Sequence, residues 1–125
     1  MKREILLALG SNADDGKARI EEAKKRLSEK IYFDKASEIA ATEPVGIASG
    51  MFCNCMLHGS TDLKYNELLS FTKEVERAGG DNKELRAKGE IRIDVDILMC
   101  DERKYHLSDW QRDYVKQLFK EIEKQ

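Results

Sequence analysis

The sequence has one proline, three cysteines and two histidines, and each scarcity closes a route. Cys53, Cys55 and Cys100 are odd in number and show no C-x-x-C spacing, which argues against a disulfide framework or a zinc site. They read as reduced, packing thiols. His58 and His106 have no second histidine or cysteine at ligand spacing, so a surface or packing role is the first reading of each. A long apolar run is also missing. Ile5-Leu6-Leu7-Ala8-Leu9 follows Met1-Lys2-Arg3-Glu4 and is too short for a signal-peptide core or a bilayer span, so a soluble cytoplasmic protein with no membrane association is expected. Net charge is small as well. The 22 basic residues against 24 acidic ones give a formal −2, without the basic footprint of a nucleic-acid binder, and the expected ligand is a small molecule.

What remains is enough for one domain over residues 1–125, since 41% of the residues are hydrophobic and can supply a single core. The apolar run at residues 5–9, ended by Gly10, predicts a strand buried on both faces. Asp14 and Asp15 can cap a helix carrying Ile20, Ala23 and Leu27 on one face. Residues 31–41 read as a second strand. Residues 42–50 read as a loop, because Pro44 and two glycines lie there. Residues 51–60 read as a third strand with Phe52, Asn54 and Met56 on one face and Cys53, Cys55 and Leu57 on the other.

A second helix is expected over residues 63–77, capped by Asp62, with Leu68, Phe71 and Val75 in a stripe and Gly79-Gly80 at its end. Residues 81–89 are polar and read as a mobile loop, and residues 90–99 as a fourth strand. Ser108-Asp109-Trp110-Gln111 has the form of a capping box before a terminal helix striped with Tyr114, Val115, Leu118, Phe119 and Ile122. The order βαββαβ plus a final helix predicts an α+β, ferredoxin-like antiparallel sheet with helices on one face.

The chemistry concentrates in Ile91-Arg92-Ile93-Asp94-Val95-Asp96-Ile97-Leu98. Alternation sends Asp94 and Asp96 off the same strand face, where like charges repel and need a cation. Magnesium held by both carboxylates and by substrate phosphates is one answer, and a solvated face neutralised by Arg92 is the other. Gly10-Ser11-Asn12-Ala13-Asp14-Asp15-Gly16-Lys17 is not a P-loop: five residues separate the glycines and Ala18 follows the lysine. It can be a turn that brings backbone amides to a ligand, or a purely structural strand-to-helix turn.

Ala8-Leu9-Gly10-Ser11-Asn12, Thr42-Glu43-Pro44-Val45-Gly46, Phe52-x-Asn54 and Asp94-x-Asp96-Ile97-Leu98 together resemble the 6-hydroxymethyl-7,8-dihydropterin pyrophosphokinases in order and separation. The resemblance implies that Asp94 and Asp96 bind two magnesium ions on the triphosphate of ATP. The pterin hydroxymethyl oxygen would attack the β-phosphorus, and AMP would leave. It also implies that Asn54 bonds the pterin edge with help from Thr42, Pro44 and Val45, while Phe52 and Tyr114 close the two sides of the ring. His106, Arg92 and Arg112 are the further catalytic candidates, and Lys83, Lys88, Ile97 and Arg103 the nucleotide-side ones. The implied protein is a monomer or weak homodimer that takes ATP and hydroxymethyl dihydropterin. Where the family places an arginine three residues before the first aspartate, this chain has Ile91, with Arg92 displaced by one. The loop after the second helix reads Gly80-Asp81-Asn82-Lys83 and lacks the family's arginines, which makes Arg86, Lys88 and Arg103 the cations that could take their place on the phosphates. The alternative reading is therefore a pterin- or nucleotide-binding module that keeps the pocket without catalysis.

Overall fold

Burial of residues 5–9 on both sides makes β1 (Arg3–Ser11) the strand around which the sheet is built. The computed structural model describes residues 2–42 and 51–125. After β1 come α1 (Gly16–Leu27), β2 (Tyr32–Ala36), β3 (Ala40–Thr42), β4 (Phe52–Thr61), α2 (Tyr65–Ala78), α3 (Lys83–Ala87), β5 (Asp94–Cys100) and β6 (Arg103–Lys104). A 3-10 turn at Asp109–Gln111 leads into α4 (Asp113–Glu123). The strands lie in the order β2-β4-β1-β5-β6, with β3 also on β4, and all pairings are antiparallel. Each pair of strands joined by a helix is split by a strand of the other unit: β4 lies between β1 and β2, and β1 between β4 and β5. The expected α+β class holds.

Two apolar layers follow from the alternation. Ile5, Leu7 and Leu9 face α1 and α2, where Ile20, Leu27, Leu68, Phe71 and Val75 complete the larger core. Leu6, Met56 and Leu98 face α4, whose Val115, Leu118 and Ile122 cover them. Each fully buried aliphatic side chain contributes about 1.5–3 kcal/mol. The terminal helix thus covers the face opposite α1 and α2. A register shift between Leu6 and Leu7 against β5 returns Cys100 to the larger core, so the fourth strand's alternation is interrupted.

Several boundaries differ from those expected. Residues 31–41 are two strands, because the main chain leaves the sheet at Ser37, whose buried hydroxyl accepts the Met56 N–H at 2.8 Å. Asp15 holds the cap position of α1 but makes no side-chain capping bond; its carboxylate pairs instead with Arg19 at 2.8 Å, one helical turn on. The cap position of α2 is Lys64 and not Asp62, with the Lys64 N–H donating to Glu67 at 2.8 Å. Ser108 makes no capping bond and opens only the 3-10 turn, so the long terminal helix starts at Asp113. The polar segment 81–89 contains α3, capped by the Asn82 side chain, which accepts the Leu85 N–H at 2.9 Å. Residues 90–93 precede β5 and are not strand.

Two predictions follow from the β2–β4 edge. A Cβ on Gly59 would collide with the Tyr32 carbonyl of β2, so Gly59→Ala is expected to lose about 1–3 kcal/mol or more in urea unfolding. A native midpoint would contradict the β2 register. On the other face, the His58 ring bonds Asp34 at 2.7 Å and Glu4 at 3.0 Å. The His58 bond, opposed by burial, holds the Asp34 carboxyl below its ordinary value. A lowered folded-state pKa contributes stability above the unfolded value and loses it as pH falls through the folded one. The stability gap between the native chain and Asp34→Asn should therefore shrink as pH drops below about 4, and a gap constant down to pH 2 would exclude the contact.

Candidate functional site

The sheet register assembles the site as a row. Asp94 of β5 stands opposite Gly10 of β1, Gly10 opposite Asn54 of β4, and Asn54 opposite Ala40 of β3. Directly paired residues of antiparallel strands share a face, so Asp94 and Asn54 both project toward the α4 side, roughly 10 Å apart across the side-chain-free Gly10. That gap is required: a Cβ at Gly10 would come within 2.9 Å of Asn54 Oδ1. Asp96 follows Asp94 on the same face, opposite Ala8. The expectation that both carboxylates leave one face of the strand is met.

Their electrostatics are unequal. Burial and the Asp94 charge push the Asp96 carboxyl up to about 8. Burial also opposes ionisation of Asp94, but the bond from Asp96 and the nearby Arg86 outweigh it and hold Asp94 below the usual carboxylate range. Arg86 Nη2 donates to Asp94 at 3.0 Å, and its Nε donates to Asp81 at 2.7 and 2.9 Å. These carboxylates raise the Arg86 guanidinium against its own burial. Behind the strand, Glu76 of α2 accepts the Val95 N–H at 2.8 Å, and burial raises its carboxyl.

The residues before β5 are held by β1. Asn12 donates through Nδ2 to the Gly89 carbonyl at 2.7 Å, and its Oδ1 accepts the Ile91 N–H at 2.7 Å. The Asn12 N–H donates to the Ile91 carbonyl at 2.9 Å. The Gly-Ser-Asn turn thus clasps the entrance to β5. Arg92 does not join the carboxylate face: its Nε bonds Glu90 at 2.9 Å, in a small hollow with Asp15 and Arg19.

On the α4 side, His106 has a positive φ of 53°, a conformation that ordinary residues adopt only when their surroundings enforce it. The enforcement comes from Trp110, whose Nε1 donates to the Leu98 and Tyr105 carbonyls at 3.2 and 3.1 Å. His106 then faces Asp96 at 3.8 Å and Asp109 at 4.0 Å, and Arg112 bonds Asp109 at 3.2 Å. Tyr114 and Thr42 line a cavity of about 460 Å³ between β3 and α4. Asn54 Nδ2 donates to Thr42 Oγ1, and Phe52 packs beside Gly10. A larger hollow of about 670 Å³ lies at the other end of the sheet around Lys30, Tyr32 and Leu63, away from the carboxylates.

Asp94, Asp96, Asn54, Thr42, Phe52, His106, Arg112 and Tyr114 therefore gather at one end of one sheet face. Lys83 opens α3 and Lys88 follows it, and both are exposed. The Ile97 side chain points away into the larger core. Arg103 sits opposite Cys100 at the far end of β5, 5.8 Å over the Tyr105 ring. Pro44 and Val45 lie outside the described residues. Glu76 and Asp81 were not among the residues expected here, whereas Arg86 was one of three cations, with Lys88 and Arg103, that could stand in for the missing arginines. Glu76 had a signal, since the buried i, i+4 series Leu68, Thr72, Glu76 puts a carboxylate on an apolar stripe. For Arg86 the signal was Asn82 before Lys-Glu-Leu-Arg-Ala, a cap and good helix formers.

The family model for 7,8-dihydro-6-hydroxymethylpterin-pyrophosphokinase matches residues 6–124. A folate synthesis bifunctional protein of Arabidopsis thaliana is 30% identical over 122 residues, covering 90% of this chain and 25% of that protein. A folic acid synthesis protein of Dictyostelium discoideum is 31% identical over 120 residues, covering 89% of this chain and 18% of its own length. A 2-amino-4-hydroxy-6-hydroxymethyldihydropteridine pyrophosphokinase of Aquifex aeolicus is 35% identical over 96 residues, 76% of this chain and 59% of that protein. The chain thus spans a quarter or less of the first two relatives and well under two thirds of the third. With a match over nearly its whole length, the chain belongs to the 7,8-dihydro-6-hydroxymethylpterin-pyrophosphokinase family.

Proposed function

We propose that this chain transfers diphosphate from ATP to the hydroxymethyl group of 6-hydroxymethyl-7,8-dihydropterin, releasing AMP, as a step of folate synthesis. The observation that carries the reading is the carboxylate pair Asp94 and Asp96 on one strand face, with Asp94 in register with Asn54 across Gly10. The donor set fits magnesium. That ion is usually bound by one or two carboxylates, with waters and substrate phosphates completing its shell. The two aspartates can do this without a third protein ligand, and among the described residues no larger ligating cluster exists. The raised Asp96 carboxyl supports the reading, since two like charges on one strand face favour a cation beside them. When bound, magnesium supplies Lewis-acid polarisation of phosphate oxygens and neutralises charge developing on them.

The protein's own work is placement. Asn54 offers an amide to the polar edge of the pterin, and Thr42 orients that amide through its hydroxyl. Phe52 and Tyr114 supply aromatic surface to the ring. Held so, the hydroxymethyl oxygen attacks the β-phosphorus and yields its proton to solvent, the bond from that phosphorus to the α-bridging oxygen breaks, and AMP departs with the bond's electrons. Such transfers ask mainly for alignment and charge stabilisation. His106 and Arg112 close the α4 side of the carboxylates, positioned by Trp110 and Asp109. Ion pairing gives the site its order, and the burial of one end of the sheet gives it a low dielectric.

AMP release from ATP, pterin and Mg²⁺ tests this directly. Asp96→Ala is expected to lower turnover by on the order of 10²–10³ or more while the chain stays folded. Folded native protein that releases no pterin-dependent AMP at saturating substrates would leave a binding module in place of the enzyme. Asn54→Ala should act differently, raising the KM for pterin roughly tenfold or more with the KM for ATP unchanged. An equal rise in both constants would remove Asn54 from pterin recognition.

A further inference from the structure

Arg86 gathers three carboxylates at the entrance to β5. Its Nε is fixed on both oxygens of Asp81, whose side chain is only 13% exposed. Its Nη2 reaches Asp94 Oδ1 at 3.0 Å and stands 3.9 Å from Glu76 Oε2. The guanidinium therefore has two ends with separate duties. One end is tethered within its own connecting segment. The other lies on the carboxylate nearest the proposed phosphate site, and the side chain remains a third exposed, within reach of a ligand.

We infer that Arg86 is a resident counter-ion of Asp94 that exchanges partners on binding: it gives up the Asp94 oxygen to the incoming metal and takes a phosphate oxygen of the nucleotide. This rests on the pyrophosphokinase reading of the same site. The planar fork permits the exchange, because the Nε–Asp81 bond stays in place while the Nη end trades one anion for another. Asp81 is then a positioning residue. Ile91 brings no charge to this end of the strand, and Arg92 is occupied with Glu90. Arg86 is the guanidinium that reaches Asp94.

The exchange gives opposite signs for two binding events. A metal ion alone must displace a cation from Asp94, whereas a metal–nucleotide complex gains that cation for its phosphates. The test uses the full chain, Mn²⁺ followed by electron paramagnetic resonance, and α,β-methylene-ATP. Arg86→Gln is expected to bind Mn²⁺ alone several-fold more tightly and the Mn²⁺–analogue complex roughly ten- to a hundredfold more weakly. Arg86→Lys should restore part of the second loss and none of the bidentate geometry. Both affinities unchanged, or both weakened together, would overturn the inference and leave Arg86 a structural clasp. Should Arg86→Gln fail to fold by circular dichroism, Asp81→Asn decides: weaker analogue binding with Mn²⁺ binding unchanged supports the exchange, and native values for both overturn it. Native protein that binds no Mn²⁺–analogue complex would end the pyrophosphokinase reading too, so the two failures are distinguishable.

Discussion

Two carboxylates projecting from one face of a strand repel each other, and burial together with the Asp94 charge pushes the Asp96 carboxyl up to about 8. Much of the surrounding structure answers to that repulsion. Arg86 neutralises Asp94, Asp81 holds Arg86, and Asn82 caps the helix that carries Arg86 across the connection. Glu76 bonds the strand from the core side, and Asn12 clasps the residues that lead into it. A strand carrying Asp94 and Asp96 is stable because its neighbours pin its backbone with specific bonds and its Val95 and Ile97 side chains anchor the opposite face.

The same constraint explains the distribution of function over the fold. β1 supplies Gly10 at the point where a side chain would block the space between carboxylate and amide. β4 supplies Asn54, β3 supplies Thr42, and α4 closes the face with Tyr114. Each element contributes through sheet register, so a one-residue slip of β4 or β5 would turn Asn54 or both aspartates into the core.

Period-two patterns made the central part legible in the sequence. The continuous run at residues 5–9 marked a strand buried on both faces, the alternation around Asp94 and Asp96 gave the faces of β5, and the helical stripes marked α1, α2 and α4 but not that α4 covers the face opposite the other two. The misread parts are those where one bond outweighs periodicity. Ser37 takes the Met56 amide and breaks a strand that composition alone would continue. Arg92 reads as a partner of Asp94 by alternation, but residues 90–93 are held by Asn12 outside the sheet, which frees Arg92 to pair with Glu90. The pairing of Arg86 with Asp94 was not legible, because it depends on a short helix packing against the strand, a tertiary relation that no local pattern encodes.

The most direct test of the account is amide nuclear magnetic resonance of the native chain with Mn²⁺ and α,β-methylene-ATP. Paramagnetic broadening is predicted to erase the signals of Asp94, Val95, Asp96 and Gly10 first, while those of Tyr32, Ser60 and Arg103, at the far end of the sheet, stay sharp. Broadening centred on that far end, or spread evenly over the chain, would contradict the claim that the aspartate pair is the nucleotide–metal site.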